Sequence, residues 1–301
     1  MAALDLSRST TGVYLTPEQS NEIWTDVIKQ SAVTQLATGV KLPGTGVEYD
    51  TLGEFGAAKW VGETDEKPTD KPTIGSRIMK PFKLAKIVPV SEEFVRDKAA
   101  LWAKIKEKAA QSIAQGIDQT ILTNVITAPS AENMDTFKDV QQVSIGKGTY
   151  KDFVKIATTV LDNDGDLNGI ALSPQGQSKF LEATDNNGRP LLVPSATTND
   201  MGSIFGARIV KSPWGHVNAV QADSSHSITA KPEIFGVAGD WTNAIYGTVE
   251  GIRMKVSDQA TITGSDSKPI NLWQRNMIAF LVEAEVGFII RDKKKFVTIT
   301  A

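Results

Sequence analysis

The chain has 301 residues, of which 41% are hydrophobic and 22% charged, a composition typical of folded globular proteins that excludes wholesale disorder. The 32 basic and 35 acidic residues give a net charge of −3, which argues against a strongly cationic nucleic-acid binder. Without cysteine, the chain has no disulfide, thiolate metal site or cysteine nucleophile. It has no apolar run long enough for a membrane span and no signal-peptide pattern, so we expect a soluble cytosolic protein without membrane contact.

The first predicted element is a helix that begins at Thr16. The residues Thr16-Pro17-Glu18-Gln19 supply an N-cap, a first-turn proline and a glutamine placed for a capping box. Apolar residues then recur at helical spacing through Trp24 and Ile28 to Leu36, and the pattern stops at Gly39. The residues before Thr16 have no period, which predicts a loose tail.

Residues 40–90 predict β structure, most simply a long hairpin with an irregular tip. Residues 57–62 resemble the end of a strand, residues 63–73 are polar with two prolines, and residues 74–90 are again rich in β-formers. Acidic residues cluster toward the tip. The returning arm carries only basic charges, at Arg77, Lys80, Lys83 and Lys86.

A second, unusually long helix is predicted over residues 91–124. Ser91 is placed as its cap, and acidic residues follow in the first turn, where the helix dipole favours them. At 1.5 Å per residue it would be about 50 Å long. Gly116 allows a bend. Its apolar stripe runs through Ile105, Ala109, Ile113, Ile117 and Ile121.

The remainder alternates between helix and strand and then becomes mostly β. An amphipathic helix is predicted from Tyr150, a strand over residues 169–173, and a short helix capped by Ser173. Further strands are predicted at 203–210, 217–221, 244–249 and 252–256. After Gly251 the clearest signals are a strictly alternating strand over residues 277–290 and a closing strand over residues 296–299.

The first 90 residues contain more apolar side chains than a helix and a hairpin can cover by themselves. A two-stranded hairpin is marginal alone in water, and burying one large apolar side chain is worth about 1.5–3 kcal/mol. The two segments therefore either fold back onto the chain's own core or lie on neighbouring subunits. The long second helix favours the latter, because it implies a flat, elongated subunit.

Motifs for catalysis and metal binding were tested and mostly fail. The run Asp162–Asp166 resembles a calcium loop, but Leu167 and Ser173 stand where that loop needs glycine and glutamate, so a turn is predicted instead. Phosphate-loop, GxSxG and HExxH patterns are absent, and nothing supports a triad at His216 or His226. We therefore expect no enzyme activity, no cofactor and no metal.

Four stretches in this order carry a resemblance to a known family. They are Ala58–Thr64 followed by two prolines, Lys86–Glu93, Gly116–Leu122, and Trp273–Met277 with the alternating strand and the closing Phe296–Ile299. Together they resemble the major capsid proteins of tailed bacteriophages, which have the Hong Kong 97-type fold. That fold is α+β, with an N-arm, an extended hairpin called the E-loop, a long spine helix with a peripheral-domain sheet, and an α/β axial domain.

The resemblance implies a division of the chain into four parts. Residues 1–48 would be the N-arm and residues 49–90 the E-loop. Residues 91–129 with 246–293 would form the peripheral domain with the spine helix. Residues 130–245 with 294–301 would form the axial domain, whose loops meet at the centre of a hexamer or pentamer.

The resemblance also implies a function. The chain would assemble with itself, through hexamers and pentamers, into an icosahedral shell enclosing the double-stranded DNA of a tailed phage, built in the host cytoplasm. Some relatives carry a long amino-terminal scaffolding segment; here the arm is short, so a separate scaffold protein is expected, with a portal and possible decoration proteins. The alternatives are an encapsulin-type compartment shell and, more distantly, an α/β hydrolase-like enzyme.

The predicted sites are contacts between subunits. Trp60 and Phe82 are the expected apolar anchors, since buried aromatic residues dominate contact energetics; the alternative for Trp60 is the hairpin base in its own core. In the N-arm the expected contacts are Trp24 and Ile28. In the E-loop they are Trp60, Glu63, Lys67, Lys71, Arg77, Lys80, Phe82 and Lys83.

Overall fold

The computed structural model describes residues 30–52, 56–63, 66–71, 74–93, 99–146, 149–184, 189, 203–221, 230–263 and 268–301. The helices are α1 (Ala32–Leu36), α2 (Ala99–Ile121), α3 (Tyr150–Leu161) and α4 (Pro174–Leu181). The strands are β1 (Thr38–Lys41), β2 (Val47–Leu52), β3 (Ile74–Met79), β4 (Phe82–Ser91), β5 (Gln141–Ser144), β6 (Gly169–Leu172), β7 (Ser203–Ile204), β8 (Ala207–Lys211), β9 (Ile234–Gly239), β10 (Ala244–Thr248), β11 (Arg253–Ser257), β12 (Thr261–Thr263), β13 (Pro269–Asn271), β14 (Met277–Ile290) and β15 (Phe296–Thr300).

The first sheet is built around the long strand β14. It has five strands, in the order β1-β10-β14-β11, and β4 also pairs with β14. The pairing of β4 is antiparallel and runs from Met277 opposite Ser91 to Val286 opposite Phe82. The alternation in the sequence correctly predicted β14, and its two faces differ in burial between Phe280 and Val286.

The second sheet has six strands, in the order β5-β15-β9-β6-β8-β7. Helices α3 and α4 cover it, and their rings of Phe153 and Phe180 meet edge to face at 4.4 Å between centroids. The predicted amphipathic helix, the strand after it and the Ser173 cap are confirmed as α3, β6 and the N-cap of α4.

A cluster of aromatic residues joins the two sheets. The ring of Phe137 lies 5.4 Å from Trp241, 5.7 Å from Phe288 and 5.0 Å from Phe296, measured between centroids. All four side chains are buried. Because Phe288 belongs to the first sheet and Phe296 to the second, one continuous core holds the sheets together.

The long helix is confirmed over Ala99–Ile121, and residues 94–98 lie outside the described residues. Its stripe residues Ile113, Ile117 and Ile121 are buried as expected. Ser91, predicted as the helix cap, is instead the last residue of β4. Gly116 lets β4 approach the helix, since a Cβ at this position would lie 2.7 Å from the side chain of Leu84.

The amino-terminal helix differs from the prediction in its described part. Ser31 has extended backbone angles (φ −86°, ψ 128°) and caps α1, so a continuous helix from Thr16 to residue 38 is wrong. Gly39 does not end the helix but lies in β1, where the ring of Tyr246 covers it. The stretch 16–29, with Trp24 and Ile28, lies outside the described residues.

Two predicted strands are also wrong. Residues 56–63 are irregular rather than the end of a strand. In 217–221 only isolated bridges form, at Val217 and Val220. In both places β-forming residues lack a continuous neighbouring strand, and propensity alone is too weak to make one.

Candidate inter-subunit surface

A two-stranded hairpin projects from the first sheet. Strands β2 and β3 pair from Val47 opposite Met79 to Leu52 opposite Ile74. No other strand in the described part of the chain pairs with either of them. The hairpin is thus a ribbon with two open edges, whose stability must come from its attachment or from another chain.

The end of this hairpin consists of polar residues around one large aromatic side chain. Every described residue in 56–63 and 66–71 is exposed, and Trp60 is fully so, at 104% relative accessibility. We call these two ranges the hairpin tip. Trp60 therefore does not lie in the chain's own core, and the alternative prediction, which placed it there at the hairpin base, is wrong.

Asp70 holds the two sides of the hairpin tip together. Its Oδ2 accepts a hydrogen bond from the backbone N–H of Gly56 at 2.6 Å, and its Oδ1 accepts one from the N–H of Lys71 at 2.9 Å. A carboxylate that accepts from backbone donors is a common way to order an irregular segment. The bond between Gly56 and Asp70 therefore limits the positions that Trp60 can take.

The root of the hairpin is packed into a small core of its own. Met79, at the end of β3, is fully buried and contacts a cluster formed with Leu42, Ile245 and Ile289. Leu42 follows β1, while the other two belong to β10 and β14. The hairpin therefore leaves the body from a packed base rather than from a loose loop.

A charged clamp reinforces this base. Arg77 on β3 donates from Nη2 to Asp135 Oδ1 at 2.7 Å and from Nη1 to the carbonyl of Ile290 at 3.1 Å. Asp135 is 1% exposed; its Oδ2 accepts from the N–H of Ile290 at 2.8 Å, and Lys293 Nζ lies 3.2 Å from Oδ1. The buried carboxylate is fully partnered, as such a group must be.

The structure separates the predicted E-loop contacts into two groups. Glu63, Lys67 and Lys71 are exposed in the hairpin tip with Trp60, and Lys80 is exposed beyond the root. Three others have partners within the chain: Arg77 in the clamp, Lys83 at 3.5 Å from Glu285, and Phe82, half-buried against the main core. Phe82 is therefore not free in the way that Trp60 is, because β4 belongs to the five-stranded sheet and half-buries the ring; its contact with a neighbouring subunit stays a prediction.

Two residues that bear on this surface were not predicted from the sequence, namely Asp135 and Trp273. Asp135 carries no motif, and only the tertiary fold brings it to β3. Trp273 is 68% exposed next to the start of β14; it stood in a family-like stretch but was not predicted as a contact. An exposed large aromatic residue is the signal for an interaction surface, but exposure cannot be known from sequence alone.

The rejected chemical motifs have structural roles. Asp162 is the C-cap of α3, and Asp164 has a positive φ of 54° in the turn that follows. His216 Nε2 lies 2.7 Å from Glu233 Oε1. The described ranges contain no cluster of three metal-ligating side chains, and none of their helices has the length and hydropathy required to cross a membrane.

Comparison with known proteins agrees with this architecture. The model of the phage capsid family matches residues 11–301. A probable major capsid protein of Mycobacterium phage L5 is 31% identical, covering 95% of this chain and 89% of its own. The major capsid protein of Staphylococcus phage 80alpha is 22% identical, covering 93% and 82%.

Solved structures show the same fold. A chain from Mycobacterium phage Adephagia superimposes with a TM-score of 0.70 at 21% identity, covering 90% of each chain. A structure described as the capsid of an empty GTA particle, computed with C5 symmetry, gives 0.61 at 13% identity, covering 99% of this chain and 94% of its own. The fold is α+β, of the Hong Kong 97 type.

The chain belongs to the phage capsid family, because that family's model matches nearly its whole length. It is a major capsid protein of the kind that tailed phages have, and its place is in the capsid of the virion. Such a protein is structural and associates with copies of itself. The role of the hairpin is accordingly tested by measuring assembly rather than catalytic activity.

Proposed function

We propose that the chain assembles through hexamers and pentamers into a closed icosahedral shell around double-stranded DNA, and that its hairpin tip lies on the neighbouring subunit. The observation that carries the proposal is the full exposure of Trp60 at the end of a hairpin with a fixed root. Each subunit then contacts one neighbour through its own hairpin tip and receives the hairpin tip of the other neighbour on a different surface. Such heterologous contacts close into rings when the rotation allows it.

Trp60 is the apolar anchor of this contact. A buried aromatic side chain removes about 150–250 Å² from water, which at about 25 cal/mol per Å² amounts to about 4–6 kcal/mol for each contact. The free subunit obtains none of this, because Trp60 contacts only solvent. Assembly therefore supplies a driving force that folding of a single subunit leaves unused.

Charges of the hairpin tip set the orientation of the contact. Glu63, Glu66 and Asp70 alternate with Lys67 and Lys71, and all of them are exposed. Exposed charges of both signs add little affinity, but they penalise wrong registers and guide the encounter between subunits. Residues 1–29, with Trp24 and Ile28, provide a second contact with a neighbour.

The enclosed genome and the other partners are proposed on the ground of the family. The relatives named above are phage capsid proteins, which favours a genome shell over an encapsulin-type compartment. A net charge of −3 is compatible with a shell protein that binds the packaged DNA only weakly. The proposal includes a separate scaffold protein, a portal, possible decoration proteins and assembly in the host cytoplasm. The C5-symmetric GTA capsid supports pentamers as one ring form.

Substitution of Trp60 tests the proposal. We expect Trp60→Ala to change the unfolding free energy of the subunit by no more than about 0.5 kcal/mol, because the side chain is exposed, and to abolish or strongly reduce shells in electron micrographs. Trp60→Phe, which keeps an aromatic ring, should retain shells. Lys59→Ala is the matched control, since Lys59 is exposed beside Trp60.

Normal yields of shells from Trp60→Ala would contradict the proposal that Trp60 anchors the contact. Loss of shells from both Trp60→Ala and Lys59→Ala would mean that the hairpin tip tolerates no change, and the specific role of the indole would then be unsupported.

A further inference from the structure

Asp118 is an acidic residue at a place where the helix otherwise buries apolar side chains. It lies on α2 between Ile117 and Ile121 and is 0% exposed. Isolated charges at such positions are costly, and they persist only where the carboxylate is fully hydrogen-bonded. The clamp and the hairpin tip do not involve Asp118, so its retention needs a separate explanation.

Four donors surround its carboxylate. Oδ1 accepts from Ser31 Oγ at 2.6 Å and from the N–H of Val33 at 3.4 Å. Oδ2 accepts from Ser212 Oγ at 2.6 Å and from the N–H of Ala32 at 3.1 Å. No lysine or arginine in the described part of the chain is a charged partner of this carboxylate, whose surroundings supply only hydrogen bonds. The group is therefore held by hydrogen bonds alone.

These bonds join three segments that are far apart in sequence. Ser31 to Val33 are 85 to 87 residues from Asp118, and Ser212, which follows β8, is 94 residues away. Of the three segments, the one at Ser31 has the least structure of its own, because α1 has only five residues. Helices that short are not stable in isolation, so the position of α1 depends on what it is attached to.

We propose that Asp118 is a positioning residue for the amino-terminal arm: by holding Ser31–Val33 against α2, it fixes the position in the subunit of the segment to which residues 1–29 are joined. Ser31 caps α1 through its own Oγ, which accepts from the N–H of Thr34 at 3.3 Å. Removing the carboxylate therefore leaves the cap in place but detaches the capped turn from α2. This inference rests on the proposed contact between the arm and a neighbouring subunit.

Hydrogen–deuterium exchange on the purified full-length subunit tests the attachment. In Asp118→Ala we expect the amides of Ala32 and Val33 to exchange about tenfold faster or more, because each loses its acceptor. Thr120→Val is the matched control: Thr120 is buried on the same helix, but its Oγ1 donates to the carbonyl of Gly116 at 2.8 Å, within α2. It should leave exchange at 32–33 unchanged.

Assembly is the second readout. Asp118→Ala should reduce the yield of closed shells, and Thr120→Val should not. Asp118→Asn is the milder variant, because its amide keeps one acceptor oxygen for one of the two backbone N–H groups and its NH2 group can donate to a serine hydroxyl. We expect it to be intermediate in both measurements.

Three results would overturn the inference. They are unchanged exchange at 32–33 in Asp118→Ala, faster exchange with normal shells, and global unfolding of both Asp118 variants, which would make Asp118 a general core residue. A truncated chain that lacks residues 1–29 distinguishes a failure of the role inferred for Asp118 from a failure of the proposed arm contact. If the truncated chain forms normal shells, the proposed arm contact fails, whatever the exchange data show.

Discussion

At the scale of single residues, Asp135 ties the hairpin to the body. Its buried carboxylate has Arg77, Lys293 and the N–H of Ile290 as partners. Without this carboxylate the N–H of Ile290 loses its acceptor, which costs about 1–3 kcal/mol, whereas Arg77 and Lys293 are 34% and 37% exposed and can regain water. We expect Asp135→Ala to lower the unfolding free energy by about 2 kcal/mol, measured by urea denaturation of the subunit.

The matched control for Asp135 is a carboxylate of an exposed pair. Glu250 binds Arg253 at the surface, where both side chains are about half-exposed. Surface pairs of this kind contribute at most about 1 kcal/mol. Glu250→Ala should therefore have a much smaller effect, and equal effects of the two substitutions would show that the clamp is not a buried, coupled group.

Asp118 also predicts a pH dependence of stability. Burial raises the pKa of its carboxyl above the usual value near 3.8, although hydrogen bonds from Ser212 and Ser31 oppose this effect. The folded state then binds a proton more tightly than the unfolded state, so this group's contribution to stability rises as the pH falls from neutrality toward 3.8. Asn does not titrate, so the unfolding free energy of the wild type relative to Asp118→Asn should increase over that range.

Urea denaturation of both proteins at intervals between pH 7 and pH 4 measures this difference. The remaining carboxylates titrate in both proteins and cancel in the comparison. A difference that stays constant, or that decreases on acidification, would mean that the carboxyl of Asp118 is not destabilised by its burial.

At the scale of elements, the end of the hairpin can be removed without disturbing the body of the subunit. Leu52 and Ile74 are directly paired across β2 and β3, so a tight Asn-Gly turn can replace residues 53–73 without breaking the ladder. The clamp at Arg77 and the packed root at Met79 remain. We expect a folded, soluble subunit that forms no shells, measured by size-exclusion chromatography with light scattering and by electron microscopy.

Shells from this shortened chain would show that the hairpin tip is dispensable. A misfolded product would instead contradict the independence of the root. As a control, the thermal unfolding temperature of the shortened chain is compared with that of the full chain. The two should be close, because the removed tip residues that the structure describes are exposed.

At the scale of the whole molecule, folding and assembly bury different residues. Trp241 is buried in the core of the single subunit, whereas Trp60 is fully exposed. Oxidative footprinting of free subunits and of assembled shells should therefore show strong protection of Trp60 on assembly and no change at Trp241. Equal labelling of Trp60 in both forms would place it outside the contact.

Much of the architecture could be predicted from local pattern. The alternation over residues 277–290, the helical spacing within 99–121 and 150–161, and the cap at Ser173 each depend on neighbours within a few residues. Such signals are present in the sequence itself, because a helix or a half-buried strand imposes its own period on apolar residues. The order of these elements along the chain likewise indicates the family from sequence alone.

By itself, the sequence determined the long helix, the α/β segment after it, the two carboxy-terminal strands and the excess of apolar side chains in the first 90 residues. Only the tertiary structure decided which of those side chains are free. Phe82 and Trp60 are both aromatic residues of the predicted hairpin, yet Phe82 on β4 is half-buried against the core while Trp60 is fully exposed. The N–H that donates to Asp135 belongs to a residue 155 positions away, and one hydroxyl that donates to Asp118 belongs to a residue 94 positions away. Local periodicity contains no information about such distant partners, because they are set by how the sheets pack.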